Sequence, residues 1–173
     1  MKIKIILILS FVAVFSVATF AQKTTSVYTN LGDKSCKTLE ADASGAGSYR
    51  GRCPGIGGYK LDLLEGDLRQ TINVIAPSKK NFELNFWHYF GSFSAVGAKA
   101  EWRMKGKNPV ALIVRFNVSD PEDSAKTTSY LMITKLTKGE VCVTDIVNPG
   151  KTQNADAQKL ADAAATKPCK ATE

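Results

Sequence analysis

The sequence predicts a mainly β, β-rich α+β fold. The expected form is an antiparallel twisted sheet or small sandwich with one C-terminal helix stapled by a disulfide. Three observations predict it. Short runs rich in β-branched and aromatic residues alternate apolar and polar positions along most of the chain. Turn residues separate these runs at short intervals. A single alanine-rich segment near the C-terminus has a helical period.

The first element is not part of the fold. In MKIKIILILSFVAVFSVATFAQ, Lys2 and Lys4 form a positive start, Ile5 to Val17 an apolar run, and Thr19 and Ala21 the small residues of a cleavage site. The apolar run is shorter than the ~20 residues of a spanning helix, so residues 1–21 read as a signal peptide rather than an anchor. The first cysteine is Cys36, so no lipid-bearing cysteine stands at the cut. Residues 22–173 form one domain by size, large enough to bury roughly 68–70% of the unfolded surface. No other stretch is long and apolar enough to span a membrane. The chain is therefore expected to be exported, to a periplasm or to the medium.

The strands follow in order. SVYTNL covers Ser26 to Leu31, and GSYRGRC runs into Cys53. GYKLDLL places Tyr59, Leu61 and Leu63 on one face, and LRQTINVIA places Leu68, Ile72 and Val74 in step. Between them EGD, Glu65 to Asp67, reads as a hairpin turn with Gly66 taking the positive φ. NFELNFWHYF reads as a further strand, with Phe82, Leu84, Phe86, His88 and Phe90 on one side and Glu83, Asn85, Trp87 and Tyr89 on the other. AKAEWRMK and PVALIVRFNVS come next, then TSYLMITKL and EVCVTDIV joined by a Lys138-Gly139 turn. The helix is NADAQKLADAAATKPC. Asn154 caps it, Ala157, Leu160, Ala161 and Ala164 form its apolar stripe, and Pro168 stops it. ADASGAGS (Ala41 to Ser48) and SDPEDSAKT (Ser119 to Thr127) read as exposed loops.

The glycines of RCPGIGGYK raise the question of a phosphate loop. Gly55, Gly57 and Gly58 do not fit Gly-x-Gly-x-x-Gly, no Gly-Lys-Ser/Thr follows, and the next element alternates as a strand. The stretch reads as a tight turn held at Cys53.

Cys36, Cys53, Cys142 and Cys169 all lie beyond the signal segment, which implies two disulfides. Three pairings are possible. Short loops favour Cys36–Cys53 and Cys142–Cys169. Neither a Cys-x-x-Cys pair nor a second histidine accompanies them, which argues against structural zinc and against redox thiols. No cofactor and no metal is expected. The formal charge of +7 drops by two lysines with the signal segment, and the remaining cations are scattered. No like-charge block marks a specific nucleic-acid partner.

Residues able to do chemistry are few. His88 is the only conventional base, with Ser92 and Ser94 the nearest hydroxyls, yet no Gly-x-Ser-x-Gly elbow exists. Glu65 with Asp67, or Glu83 with Glu101, are carboxylate pairs too loose to name an acid and a base. DPEDS lacks the calcium-loop pattern. Trp87, Tyr89 and Trp102, with His88, form a possible ligand surface if the strands that hold them pair. The alternative is that Trp87 and Trp102 complete the core.

The succession RCPG…GY…EGDLRQ, then AEWR, a late VC strand and a terminal helix ending in PC resembles a family of small exported bacterial proteins of unknown function. The resemblance runs from Val27 to Cys169. It implies a secreted bacterial protein with two disulfides, and it carries over no functional residue. The leading expectation is a non-catalytic binding module for a protein, glycan or envelope component. The alternatives are a small secreted hydrolase using His88 and an inhibitor of an acidic extracellular enzyme.

Overall fold

The computed structural model describes residues 23–32, 34–45, 47–123 and 125–171; the expected signal segment, residues 1–21, lies outside them. Ten strands form one sheet: β1 (Thr24–Asn30), β2 (Lys37–Asp42), β3 (Ser48–Pro54), β4 (Lys60–Gly66), β5 (Arg69–Ile75), β6 (Asn81–Glu83), β7 (Ser94–Lys105), β8 (Asn108–Ser119), β9 (Thr127–Leu136) and β10 (Val141–Val147). A helix, α1 (Gln153–Asp162), follows them. The fold is mainly β with one C-terminal helix, as the alternating runs predict.

The spatial order is β10-β9-β8-β7-β5-β4-β3-β2, with β1 beside β7 and β6 beside β5. The sheet divides at β7. The start of β7 touches β5 in a single parallel pairing, Arg69 with Ser94, while its second half pairs antiparallel with β1. Two wings result. One holds β1 and β7 to β10, the other β2 to β6. They fold face to face as a sandwich, with β1 approaching β3 on one side and β6 approaching β10 on the other.

Alternation builds the core between the wings. Leu61 and Leu63 of β4 and Ile72 and Val74 of β5 pack in one cluster with Trp102 of β7, Leu112, Val114 and Phe116 of β8, and Met132 of β9. The opposite face of β8 and β9 is apolar as well. Ala111, Ile113, Leu131 and Ile133 meet Ala157, Ala161 and Ala164 of the C-terminal segment. The alanine stripe thus lies against the sheet, as its period predicts. Alanine side chains bury little, about 0.8 kcal/mol per methyl. Polar groups hold the helix in addition. Arg103 grips Asp162 through Nε and Nη2 at 2.7 and 2.9 Å, and the Lys135 ammonium donates to the Lys167 carbonyl at 2.8 Å.

Both disulfides are Cys36–Cys53 and Cys142–Cys169, the pairing that short loops favour. Two disulfides mark a chain that matures in an oxidising environment. Among the described residues no helix is long and apolar enough to cross a membrane.

Three local expectations are corrected. The β4–β5 hairpin turns on Asp67 and Leu68, whose φ values are 51° and 58°, not on Gly66, which pairs with Arg69 inside the ladder. Antiparallel strand twist demands positive φ at both turn residues, and the pairing register puts those positions one residue beyond the glycine. The helix begins at Gln153 with Thr152 in the cap position, so Asn154 lies inside the first turn and does not cap it. NFELNFWHYF is not one strand. Only Asn81–Glu83 pair, and Phe86–Tyr89 form a 3-10 turn entered through Asn85 at φ 44°, ψ 53°. By contrast the RCPGIGGYK turn stands as expected, with Gly57 and Gly58 at φ 62° and 84° between β3 and β4.

On the outer face of β4, Asp62 is buried beneath two arginines of β3. Arg52 donates to it at 2.7 and 2.8 Å and Arg50 at 3.1 and 3.0 Å. Burial pushes the Asp62 carboxyl up, but the hydrogen bonds from Arg52 and Arg50 outweigh it and hold the carboxyl below the usual range. The contribution is therefore complete above the ordinary aspartate value near ~4 and is lost as pH falls through the lower folded value.

Two outcomes are expected. Asp62→Asn lowers stability by about 2 kcal/mol, less than a fully dry pair because both arginines still reach water, and flattens the loss of stability below about pH 4. Urea unfolding at stepped pH measures both. Ala161→Leu, which forces a larger side chain between α1 and β8–β9, costs about 1–3 kcal/mol in the same assay.

Candidate functional site

The segment Phe86–Phe93 carries five aromatic residues around one histidine and one glycine. A strand with one face in water buries only alternate residues, and this density exceeds what such a strand can bury. Phe86 and Phe90, four residues apart, both turn inward. Phe86 meets the Phe116 ring edge-on at 5.3 Å, and Phe90 lies 5.6 Å from Phe116 and 4.5 Å from Tyr130 between ring centres. Of the residues between them on the 3-10 turn, His88 is exposed, Trp87 half-buried, and Tyr89 half-buried against the core. The result is an arch pinned at two points.

Hydrogen bonds fix it further. The Phe86 N–H donates to Thr71 Oγ1 at 2.9 Å, the His88 N–H to the Asn85 carbonyl at 2.9 Å and the Phe90 N–H to the Trp87 carbonyl at 3.1 Å. Beyond the arch, the Ser94 N–H donates to the Leu68 carbonyl at 3.1 Å and the Ser119 N–H to the Phe93 carbonyl at 2.9 Å. The β4–β5 turn, the arch and the end of β8 therefore form one rim of the sandwich.

Three shallow concavities open on this rim, and Phe90 and Gly91 line all of them. The first, about 340 Å³, is completed by Gly66, Arg69 and Trp87. The second, about 300 Å³, adds His88, Tyr89, Ile146 and the C-terminal residues Lys170 and Ala171. The third, about 400 Å³, adds Ser92, Asp120, Thr128 and Tyr130 among others. The second has a wall built by the Cys142–Cys169 disulfide. That bond brings the tail against β10, where the Lys170 N–H donates to the Val143 carbonyl at 2.8 Å and the Tyr89 hydroxyl donates to the Lys170 carbonyl at 3.2 Å. Desolvation raises the Tyr89 hydroxyl above its ordinary pKa, so it stays a neutral donor.

Large apolar groups stay exposed here. Leu68 is 53% and Phe93 42% exposed, and the Arg69 guanidinium lies over the Phe93 ring at 5.5 Å. Backbone strain gathers at the same rim, since Asp67, Leu68 and Asn85 are three of the four non-glycine residues with positive φ among those described.

Of the expected ligand surface, Trp87, His88 and Tyr89 come together on the arch, His88 exposed and the other two half-buried. Trp102 does not join them. It is fully buried between the wings, with its indole N–H donating to Thr29 Oγ1 of β1 at 2.9 Å, so it completes the core. Trp102 and Glu101 point to opposite faces of β7, and the face that meets β4 and β5 takes the larger apolar group.

The expected chemistry is not assembled at the rim. His88 and Ser92 line different concavities, and the Ser94 hydroxyl is buried without a partner among the described residues. Glu65 accepts from Gln70, Asp67 pairs with Arg69, and Glu101 lies on the helix side of β7, away from Glu83 on β6. The one tight grouping of metal-ligand types among the described residues is Glu140, Cys142 and Cys169, whose sulfurs are bonded to each other.

Sequence reasoning missed Leu68, Arg69, Phe90, Gly91 and Phe93 as parts of this rim. The signal for the arch residues was the aromatic density itself, which exceeds what one strand face can bury. Comparison with family models, with curated proteins and with solved structures finds no match to this chain.

Leu68 in the left-handed region is strained, so Leu68→Gly is expected to raise stability by ~0.5–1 kcal/mol in thermal or urea unfolding.

Proposed function

We propose that the chain is an exported, non-catalytic binding module that takes a glycan along the rim formed by Trp87–Phe93. The carrying observation is the convergence of three concavities on Phe90 and Gly91, separated by aromatic side chains and edged by polar groups. Aromatic faces accept the apolar faces of sugar rings, while Arg69, Ser92, Asp120 and Thr128 supply donors and acceptors for hydroxyls. Shallow adjoining depressions suit successive rings of an oligomer better than one enclosed small molecule. The amino-terminal segment and the two disulfides support export.

The test is calorimetric titration of the oxidised protein with soluble chito-, cello- and xylo-oligosaccharides of three to six rings. Saturable binding that weakens about tenfold in Trp87→Ala, with unfolding unchanged, is the expected result. Absence of binding across the panel, or binding indifferent to Trp87→Ala, refutes it.

A further inference from the structure

A separate cavity, of about 280 Å³, lies between α1 and the outer face of β1, β7 and β8. Its residues come from two successive rows of the sheet. Tyr28 of β1 stands opposite Glu101 of β7, and Glu101 opposite Ile113 of β8. Two residues further along β8 is Arg115, opposite Leu131 of β9. The two rows are about 7 Å apart along the strand. Asn154 and Gln158 of α1 form the roof.

The charges at the two rows differ. Arg115 makes no ion pair among the described residues. Its guanidinium is held only by neutral acceptors: Ser129 Oγ at 2.8 Å, Gln153 Oε1 at 3.2 Å and Asn154 Oδ1 at 3.3 Å. Lys99, also lining the cavity, has no carboxylate partner among the described residues. At the other row the Glu101 carboxylate accepts from Ser26 Oγ at 2.5 Å and Gln158 Nε2 at 2.8 Å, and Arg103 stands 3.6 Å away. Glu101 keeps 14% of its side chain open. Buried Ile113 and Leu131 make an apolar floor.

The backbone is shaped around the basic end. A β-carbon on Gly97 would stand 2.7 Å from the β-carbon of Arg115, so only glycine lets the arginine stem cross β7 there. The ladder between β7 and β8 shifts register between Val96 and Ala100, and Lys99 lies within that irregularity. Bulges of this kind re-aim side chains. Two cations without acidic partners among the described residues are thus set by a glycine and a bulge at the mouth of a cavity.

We infer that this cavity binds a small zwitterion of the α-amino acid class. Its carboxylate sits on Arg115 and Lys99, its ammonium faces Glu101 and the Tyr28 hydroxyl, and its side chain rests on Ile113 and Leu131. Arginine and lysine bind carboxylates through charge-assisted hydrogen bonds, and Glu101 retains acceptor capacity for an ammonium donor. The volume sits at the small end of ligand sites, which limits the ligand to a single residue.

Isotope-edited NMR titration of the oxidised protein with alanine, with acetate and with inorganic phosphate tests this. The expected result is saturable shifts of the Ile113 and Leu131 methyls with alanine at millimolar concentration or below. Arg115→Gln and Lys99→Gln should each weaken binding at least about tenfold, as should Glu101→Gln. Lys99 is exposed, so Lys99→Gln folds even if Arg115→Gln disturbs α1. Trp87→Ala should leave alanine binding unchanged, which separates this site from the aromatic rim. No saturable shift with alanine overturns the proposal. Equal binding of acetate or phosphate, indifferent to Glu101→Gln, overturns it too and marks a simple anion site.

Discussion

Strands β8 and β9 are buried on both faces, and the rest of the molecule is arranged to satisfy that constraint. On one face Leu112, Val114, Phe116 and Met132 require a second layer, which the β2–β6 wing supplies. On the other, Ala111, Ile113, Leu131 and Ile133 require a cover that adds little thickness, which the alanine stripe of α1 supplies. The pair therefore reads as near-continuous apolar sequence, a pattern more usual for strands flanked by helices than for an antiparallel sheet with one wet side. Trp102 gives the inner face its largest fully buried side chain and, through Thr29, ties β1 to the same wing.

A thin alanine interface leaves room around it, and cations fill the margin. Arg103 of β7, Arg115 of β8 and Lys135 of β9 all emerge on the helix side of the sheet and reach Asp162, the Gln153–Asn154 turn and the Lys167 carbonyl. The helix is framed by charge rather than locked by bulk. At its carboxyl end the frame is closed by Lys167 on Asp145. Near its amino end the frame is open, and a cavity remains where a bulkier apolar stripe would have left none.

The fold was legible because its long strands obey a period of two. GYKLDLL, AKAEWRMK, PVALIVRFNVS and TSYLMITKL each bury the residues that alternation assigns to the core, and the Lys138-Gly139 hairpin closes with Thr137 bonding Glu140 at 3.1 Å. The helix stripe was equally plain. What escaped were places where tertiary demands override local pattern. β2 is exposed at every position, so KTLEAD carries no periodicity, and only its pairing with β3 makes it a strand. The arch escaped because Leu84, Phe86 and Phe90 keep the even spacing of a strand while Asn85, in a left-handed conformation, ends it. The turn at Asp67 and Leu68 escaped because register, set by the whole hairpin, outranked the presence of a glycine next door. Trp102 was separable from Trp87 only by knowing which face of β7 meets the second wing.

The Cys142–Cys169 bond does more than hold a terminus. Lys170 and Ala171 have no helix or strand of their own, and they form one wall of a surface depression because the preceding residue is covalently tied to β10 and Lys170 bonds Val143 and Tyr89. That wall is thus a product of chemistry that happens after the chain is made. Without the bond, that wall would rest on those two hydrogen bonds alone. The oxidation that closes the bond therefore also steadies the second concavity, so part of a surface is finished by a reaction rather than by folding alone.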